Sequence, residues 1–253
     1  MFRYLISTLI FFVSIQVYAS SDAQTMLQKS DSIRTPGNSF TLNAQISSYK
    51  NKSLDAQTVL KLFSKRDNDQ MQFKTLLKYL EPSRDQGKLM LKNEDNLWAF
   101  DPKTSASVPI SPQQRLTGQA ANGDVVTSVW ALDYNASLVK EEQITDGDKQ
   151  NRNANLLELN AKNANVTYYR ILYWIDANTN SPIKAQFYTK SGELLKTAYY
   201  RGFKTIEGLS RPTETVIIDG VNPNWVTIMQ TSNHQLENIS DAWFQRAYLP
   251  NIN

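Results

Sequence analysis

The sequence predicts a mainly β protein of the α+β class, a curved antiparallel sheet of about eleven strands covered by an N-terminal helix and a helical insert. Three observations carry this. Segments in which apolar and polar residues alternate recur along most of the chain, with polar turns between them. Short turn signals, Ser191-Gly192 and Asp219-Gly220, join neighbouring segments as antiparallel pairing requires. Two stretches, 21–35 and 105–134, do not follow the period of two, and a sheet with one apolar face needs such elements as its cover.

The elements follow in order. Residues 1–19 read as a secretory signal peptide: Arg3 is the positive end, Leu5 to Val17 the apolar run, and Val17-Tyr18-Ala19 the small-residue cleavage pattern. The run is shorter than the about 20 residues that span a bilayer. Cleavage after Ala19 is therefore expected, leaving residues 20–253 as a single domain. No later stretch is long and apolar enough to cross a membrane, which predicts a soluble mature chain.

A helix over 21–35 comes next, capped by Ser21 or Asp22 and ended by Pro36-Gly37, with Met26, Leu27 and Ile33 apolar. Phe40, Leu42, Ala44 and Ile46 then share one strand face. Leu60 and Leu62 alternate with Lys61, and Met71, Phe73, Leu77 and Tyr79 alternate with Gln72, Lys74 and Lys78.

Lys88 to Lys92 and Asn96 to Phe100 flank a turn at Asn93-Glu94-Asp95. A two-residue loop there places Leu89 and Leu91 on one face with Trp98 and Phe100, and Leu97 and Ala99 on the other with Lys88 and Lys92. Asp101-Pro102 stops the second strand. Residues 105–123 are rich in Ser, Pro, Gln and Gly, and a short apolar helix is expected within Asp124 to Tyr134.

Strands resume with Ser137 to Thr145, Leu156 to Ala161 and Val166 to Asp176. In the last of these Tyr169, Ile171, Tyr173 and Ile175 form an apolar face. Around Ser191-Gly192, Ile183, Ala185, Phe187, Leu194, Ala198 and Tyr200 share a face on which Lys196 is the single charged residue. Thr213 to Asp219, Trp225 to Ser232 and a closing helix near Ser240 to Arg246 complete the chain.

Leu97-Trp98-Ala99-Phe100-Asp101-Pro102, preceded by a strand and followed by lid-like sequence, resembles the signature of the bacterial periplasmic lipoprotein carriers of the LolA/LolB type. Arg115-Leu116-Thr117-Gly118-Gln119 with Gly123-Asp124 is similar to the outer-membrane lipoprotein-sorting subgroup. The resemblance implies an unclosed barrel with a helical lid, no enzymatic activity, and a periplasmic role transferring lipoproteins or lipids toward the outer membrane. It further implies an inner-membrane exporter as donor and an outer-membrane acceptor. In those carriers an arginine on the strand before the signature latches the lid. A gap-free count puts Met71 at that position here.

Together these readings nominate a cavity lined by Phe73, Leu89, Leu91, Trp98, Phe100, Ile171, Tyr173, Ile175, Ile183 and Phe187. Val125, Val126, Val129, Trp130 and Leu132 supply the lid. The expected occupants are acyl chains of a lipoprotein or lipid, since burying each methylene is worth about 0.8 kcal/mol. No cofactor and no metal site are expected, and the chain is read as a monomer.

Other classes fare worse. The chain has no cysteine, which excludes disulfides, thiol catalysis and a lipid-modified anchoring cysteine. Loss of Arg3 leaves 26 basic and 24 acidic residues, too small an excess for nucleic-acid binding by phosphate neutralisation. No nucleophile elbow, metalloprotease motif or phosphate-binding loop occurs. The single histidine, His234, sits among Ser232, Asn233 and Gln235 and is expected to be an exposed bystander. Two further readings stand beside the carrier: an accessory amphiphile-binding module of an envelope export complex, and an envelope lipid hydrolase.

Overall fold

The computed structural model describes residues 16–67 and 71–252, with side chains from Asp22 onward. The signal-peptide reading falls mostly outside these residues. Helix α1 (Gln16–Arg34) starts before the expected cap and ends ahead of Pro36. Its buried Ala23 and Leu27 face the sheet. Among the described residues no helix is long and apolar enough to cross a membrane.

The strands follow as β1 (Ser39–Lys50), β2 (Ser53–Arg66), β3 (Phe73–Glu81), β4 (Leu89–Asn93), β5 (Asn96–Asp101) and β6 (Ala106–Pro109). Then come a small hairpin, β7 (Arg115–Thr117) and β8 (Ala120–Ala121), and two single-turn helices, α2 (Asn122–Val125) and α3 (Trp130–Asp133). The second half contains β9 (Tyr134–Thr145), β10 (Asn151–Ala161), β11 (Arg170–Asp176), β12 (Pro182–Tyr188) and β13 (Leu194–Arg201). A second small hairpin, β14 (Lys204–Ile206) and β15 (Leu209–Arg211), precedes β16 (Glu214–Asp219) and β17 (Trp225–Leu236). Two 3₁₀ turns, Asp241–Phe244 and Arg246–Asn251, close the chain.

Thirteen strands form one antiparallel sheet in the order β6-β5-β4-β3-β2-β1-β17-β16-β13-β12-β11-β10-β9. Its edge strands β6 and β9 do not pair, so the sheet curves without closing. The thirteenth strand is β6, drawn from a segment expected to be irregular. The expected helix in 124–134 resolves into two single turns, because Val126 and Val129, at the two turn boundaries, are extended.

Register decides what faces inward. The β4–β5 hairpin pairs Leu89 with Phe100 and Leu91 with Trp98, so these four share a face as the turn predicted. That face is the outer one. Leu89, Leu91 and Phe100 form a core with Phe63 and Leu76, capped by Ile239, Phe244 and Leu249 of the C-terminal segment. Met90 and Leu97 point inward instead, into the main core. Both faces of this hairpin are apolar enough to bury, so alternation cannot choose between them. The C-terminal turns, which end the chain far away in sequence, cover the aromatic side.

A second departure lies on β12. Trp174 pairs with Lys184 and Ile175 with Pro182, leaving Ile183 as the extra residue of a bulge. Ile183 therefore joins Ala154, Leu156 and Trp174 on the outer face.

The inner face carries Phe40, Leu42, Ile46, Leu60, Leu62, Leu77, Leu157, Leu159, Ile171, Tyr173, Ile175 and Phe187. Helix α1 covers the β9–β12 side, and the segment 120–134 covers the centre. The β7–β8 turn is wedged beneath β1 and β17. Gly118 sits there at φ +57°, and a Cβ would lie 2.3 Å from Thr227 Oγ1 and 2.6 Å from Ser48 Oγ. Only glycine fits both that conformation and that gap.

Candidate functional site

A cavity of about 280 Å³ lies between the inner face and the segment above it. Phe40, Leu42, Leu62, Leu97, Phe187, Ile217 and Met229 line it from the sheet. Val125, Val126 and Trp130 line it from the roof, with Tyr134, Tyr168 and Tyr200 between.

Of the residues nominated from the sequence, Phe187, Val125, Val126 and Trp130 line this cavity. Phe73, Ile171, Tyr173, Ile175 and Val129 are buried in the surrounding inner core. Leu89, Leu91, Trp98, Phe100 and Ile183 are corrections, since they belong to the outer face. Trp98 is half-buried there beneath Arg246, whose guanidinium lies 4.0 Å from its ring centre. Leu132 is 40% exposed and points away from the cavity, because a single helical turn has room to bury only one side.

The roof is held by side chains from three elements. Gln72, just before β3, is the main clasp. Its amide nitrogen donates to Val129 O at 3.1 Å and Asp133 Oδ1 at 2.9 Å, and its oxygen accepts from Val129 N at 3.0 Å. It adjoins Met71, the position the lipoprotein-carrier pattern assigns to a latching arginine. Met71 itself is half-exposed. From β3 and β2, Thr75 Oγ1 accepts from Thr127 N, and Ser64 bonds the Thr127 hydroxyl.

Helix α1 supplies the third set. Gln24 donates to Ala131 O and accepts from Ala136 N, while Asp31 accepts from Ala131 N at 2.8 Å. Arg34 pairs with Asp31 at 2.9 Å and lies 3.7 Å from the Trp130 ring centre. Burial pushes the Asp31 carboxyl up to about 6, although the Arg34 charge opposes it. Trp130 also meets Tyr173 and Phe187 edge-on, with ring centres 5.2 and 6.1 Å apart.

A buried charge pair lines one wall of the cavity. Lys196, the single charged residue expected on its strand face, donates to Asp124 of α2 and to Gln119 O. Tyr168 donates to the other Asp124 oxygen at 2.8 Å. Burial pushes the Lys196 ammonium down, and Asp124 holds it up. The pair ties α2, whose Val125 belongs to the roof, to β13 of the sheet.

The opposite rim is basic. Arg211 at the end of β15 is only 6% exposed. Its Nη1 donates to the carbonyls of Ser32, Ile33 and Thr35, at the C-terminal end of α1. His234 lines the same cavity, half-buried, with Nε2 3.1 Å from Thr231 Oγ1. Burial lowers its pKa, and Arg211 and Lys204 lower it further. This corrects the expectation of an exposed bystander: β17 runs four residues past Ser232 and carries His234 inward. Among the described residues no group of three or more His, Cys, Asp or Glu is placed to hold a metal ion.

Sequence reasoning did not single out Gln72, Asp31, Arg211 or His234 as site residues. Gln72 lay one residue from the position that the motif spacing indicated. The rest carried no local signal, because each meets its partners across 100 residues or more, or along a strand whose length was underestimated.

Comparison with known proteins bears on the site. A family model described as an uncharacterized-protein family matches residues 72–251. A LolA superfamily protein of Nitrosomonas europaea is 32% identical, with a TM-score of 0.80, covering 89% of this chain and 98% of that one. A DUF1329 family protein of Desulfovibrio piger shares the fold at 20% identity and a TM-score of 0.77, covering 91% of this chain and 99% of that one. A domain named for outer-membrane lipoprotein sorting, from Vibrio parahaemolyticus, does so at 17% identity and a TM-score of 0.76, with coverage of 91% and 99%. No curated protein matches the chain.

Proposed function

We infer, because the chain belongs to the LolA superfamily, that it is a periplasmic carrier. It would bind acyl chains of lipoproteins or lipids in the roofed cavity and pass them toward the outer membrane. One observation carries the reading: the cavity is closed by Val125, Val126 and Trp130, a roof of the same chemistry as the cargo. An acyl chain displacing that roof exchanges one apolar neighbour for another, at about 0.8 kcal/mol for each methylene kept from water. The roof also hides an apolar surface that would promote aggregation if left open.

In this reading residues 1–19 direct export, residues 20–253 act as one binding domain, and the gate lies within 105–134. The moving part is the stretch 126–133. Strand β6 is part of the sheet, and the β7–β8 turn is wedged at Gly118. Binding and release require no catalytic group. Donor and acceptor are an inner-membrane exporter and an outer-membrane component.

Two measurements test the carrier. Organic extracts of gently purified protein should contain acyl lipid by mass spectrometry. Cysteines at Trp130 and Phe187, whose rings touch, should block uptake of an apolar probe when joined by a short thiol cross-linker. The chain has no other cysteine to interfere. Unchanged uptake in the cross-linked protein, with no lipid in the extracts, would remove the carrier.

The density of roof bonds favours a second reading. Gln72, Asp31, Gln24 and Thr75 together hold the roof down. An accessory module that opens only when docked on an exporter would need such a catch. Lipid uptake that appears only with that partner present would support it.

A further inference from the structure

We propose that the closed cavity takes a single-chain amphiphile with an anionic carboxylate or phosphate head, held at Arg211 beside His234. The proposal rests on the carrier reading and names the cargo class within it.

Arg211 is the reason. It lines the cavity and is more than nine-tenths buried. Its Nε donates to Ile206 O, and its Nη1 serves the end of α1. Among the described residues, Nη2 has no hydrogen-bond partner and no carboxylate lies within ion-pairing distance of the guanidinium. The exposed Glu207, on the β14–β15 turn, acts on it only at a distance. A buried cation without a counter-charge is costly. The carbonyl end of α1 offers about half an elementary negative charge, which leaves the rest to a ligand.

Two other cations of the cavity wall are committed, Arg34 to Asp31 and Lys196 to Asp124. Lys92 also lines the cavity, with its Nζ on Phe73 O at 3.4 Å. His234 completes the end of the cavity. In the tautomer whose Nε2 accepts from the Thr231 hydroxyl, the other ring nitrogen carries the proton and donates to an anion. Phe40, Leu42, Ile217 and Met229 continue from this end as an apolar bed for one tail.

Volume sets the number of tails. The cavity, at about 280 Å³, sits at the lower limit of the about 300–1,000 Å³ of ordinary small-molecule sites. One chain fits beneath the roof once the roof has lifted to admit it and closed again, whereas several would hold it open.

The test is calorimetric titration of the mature protein with four ligands sharing one tail: dodecanoate, dodecyl phosphate, dodecanol and dodecylammonium. Both anions should bind at least about tenfold more tightly than the alcohol, and the cation most weakly. Arg211→Gln should remove that preference, bringing the anions to the affinity of dodecanol. Because Arg211 also holds the end of α1, His234→Ala serves as a second variant that keeps this contact. It should narrow the preference. Tighter binding of dodecanoate would point to free fatty acid, and of the phosphate to a phosphate monoester of a lipid; either supports the proposal. Equal binding of alcohol and anions would overturn it while sparing the carrier. Binding of none of the four would overturn both.

Discussion

Lys196 donates to the Asp124 carboxylate in the wall of the cavity, with 4% of its side chain exposed. Asp124 also accepts from Ala121 N and the Tyr168 hydroxyl, so one carboxylate organises α2, β11's approach and β13. Breaking a buried pair by removing one partner typically costs about 3–5 kcal/mol. Asp124→Ala should lower unfolding stability by that order, read from the urea midpoint. Asp124→Leu combined with Lys196→Met should recover most of the loss, because the stranded ammonium is then gone. A single variant as stable as the parent would show that the pair does not hold α2 to the sheet.

Gln72 should set how readily the roof opens. It makes three hydrogen bonds to the roof, each worth about 0.5–1.5 kcal/mol net. Gln72→Ala should speed amide exchange at Val129 and Ala131 about tenfold or more, while the amides of β1 keep their protection. Unaltered exchange would leave Asp31 and Thr75 as sufficient clasps.

Asp31 should make stability fall with rising pH. Its carboxyl is held near 6 in the fold and returns to the ordinary range near 4 on unfolding. Between those values the native state keeps a proton that the unfolded chain releases, so stability is greatest below the window and declines through it. The size is on the order of 3 kcal/mol. Urea midpoints followed from pH 4 to 7 should decline more steeply in the parent than in Asp31→Asn. Parallel curves would mean that Asp31 does not carry the proton.

Met90 and Leu91 should separate the two faces. Both are almost fully buried, so either change to Ala should cost about 2–5 kcal/mol of stability. Only Met90→Ala, on the inner face with Leu97, should alter the affinity of an apolar probe. Leu91→Ala should instead loosen the C-terminal turns around Phe244 and Leu249. A change in affinity from Leu91→Ala alone would reverse the facing of β4.

Much of the sheet was legible because its signals are local. The shared face of Leu89, Leu91, Trp98 and Phe100 and the pairing of Ala185 with Ala198 follow from the alternating pattern and the turns between the strands. The apolar set Phe40, Leu42, Ala44 and Ile46 emerged on one buried face for the same reason. The signature around Trp98 pointed to a superfamily that comparison then supported. A bulge at Ile183 and the short helical turns at 122–133 were not legible, since neither is set by composition.

The sequence by itself determined that this chain folds as a curved antiparallel sheet with an N-terminal helix and a covering insert. Period, turn chemistry and element order are properties of adjacent residues. Only the tertiary structure decided which side of the β4–β5 hairpin faces the cavity, because a segment about 150 residues away covers the other. It alone brought Arg211 to the end of α1, Asp31 to Ala131, and Lys196 to Asp124. Buried charges find their partners through the fold, and the linear sequence, which marks Lys196 as the one charge on an apolar face, names the partner of none.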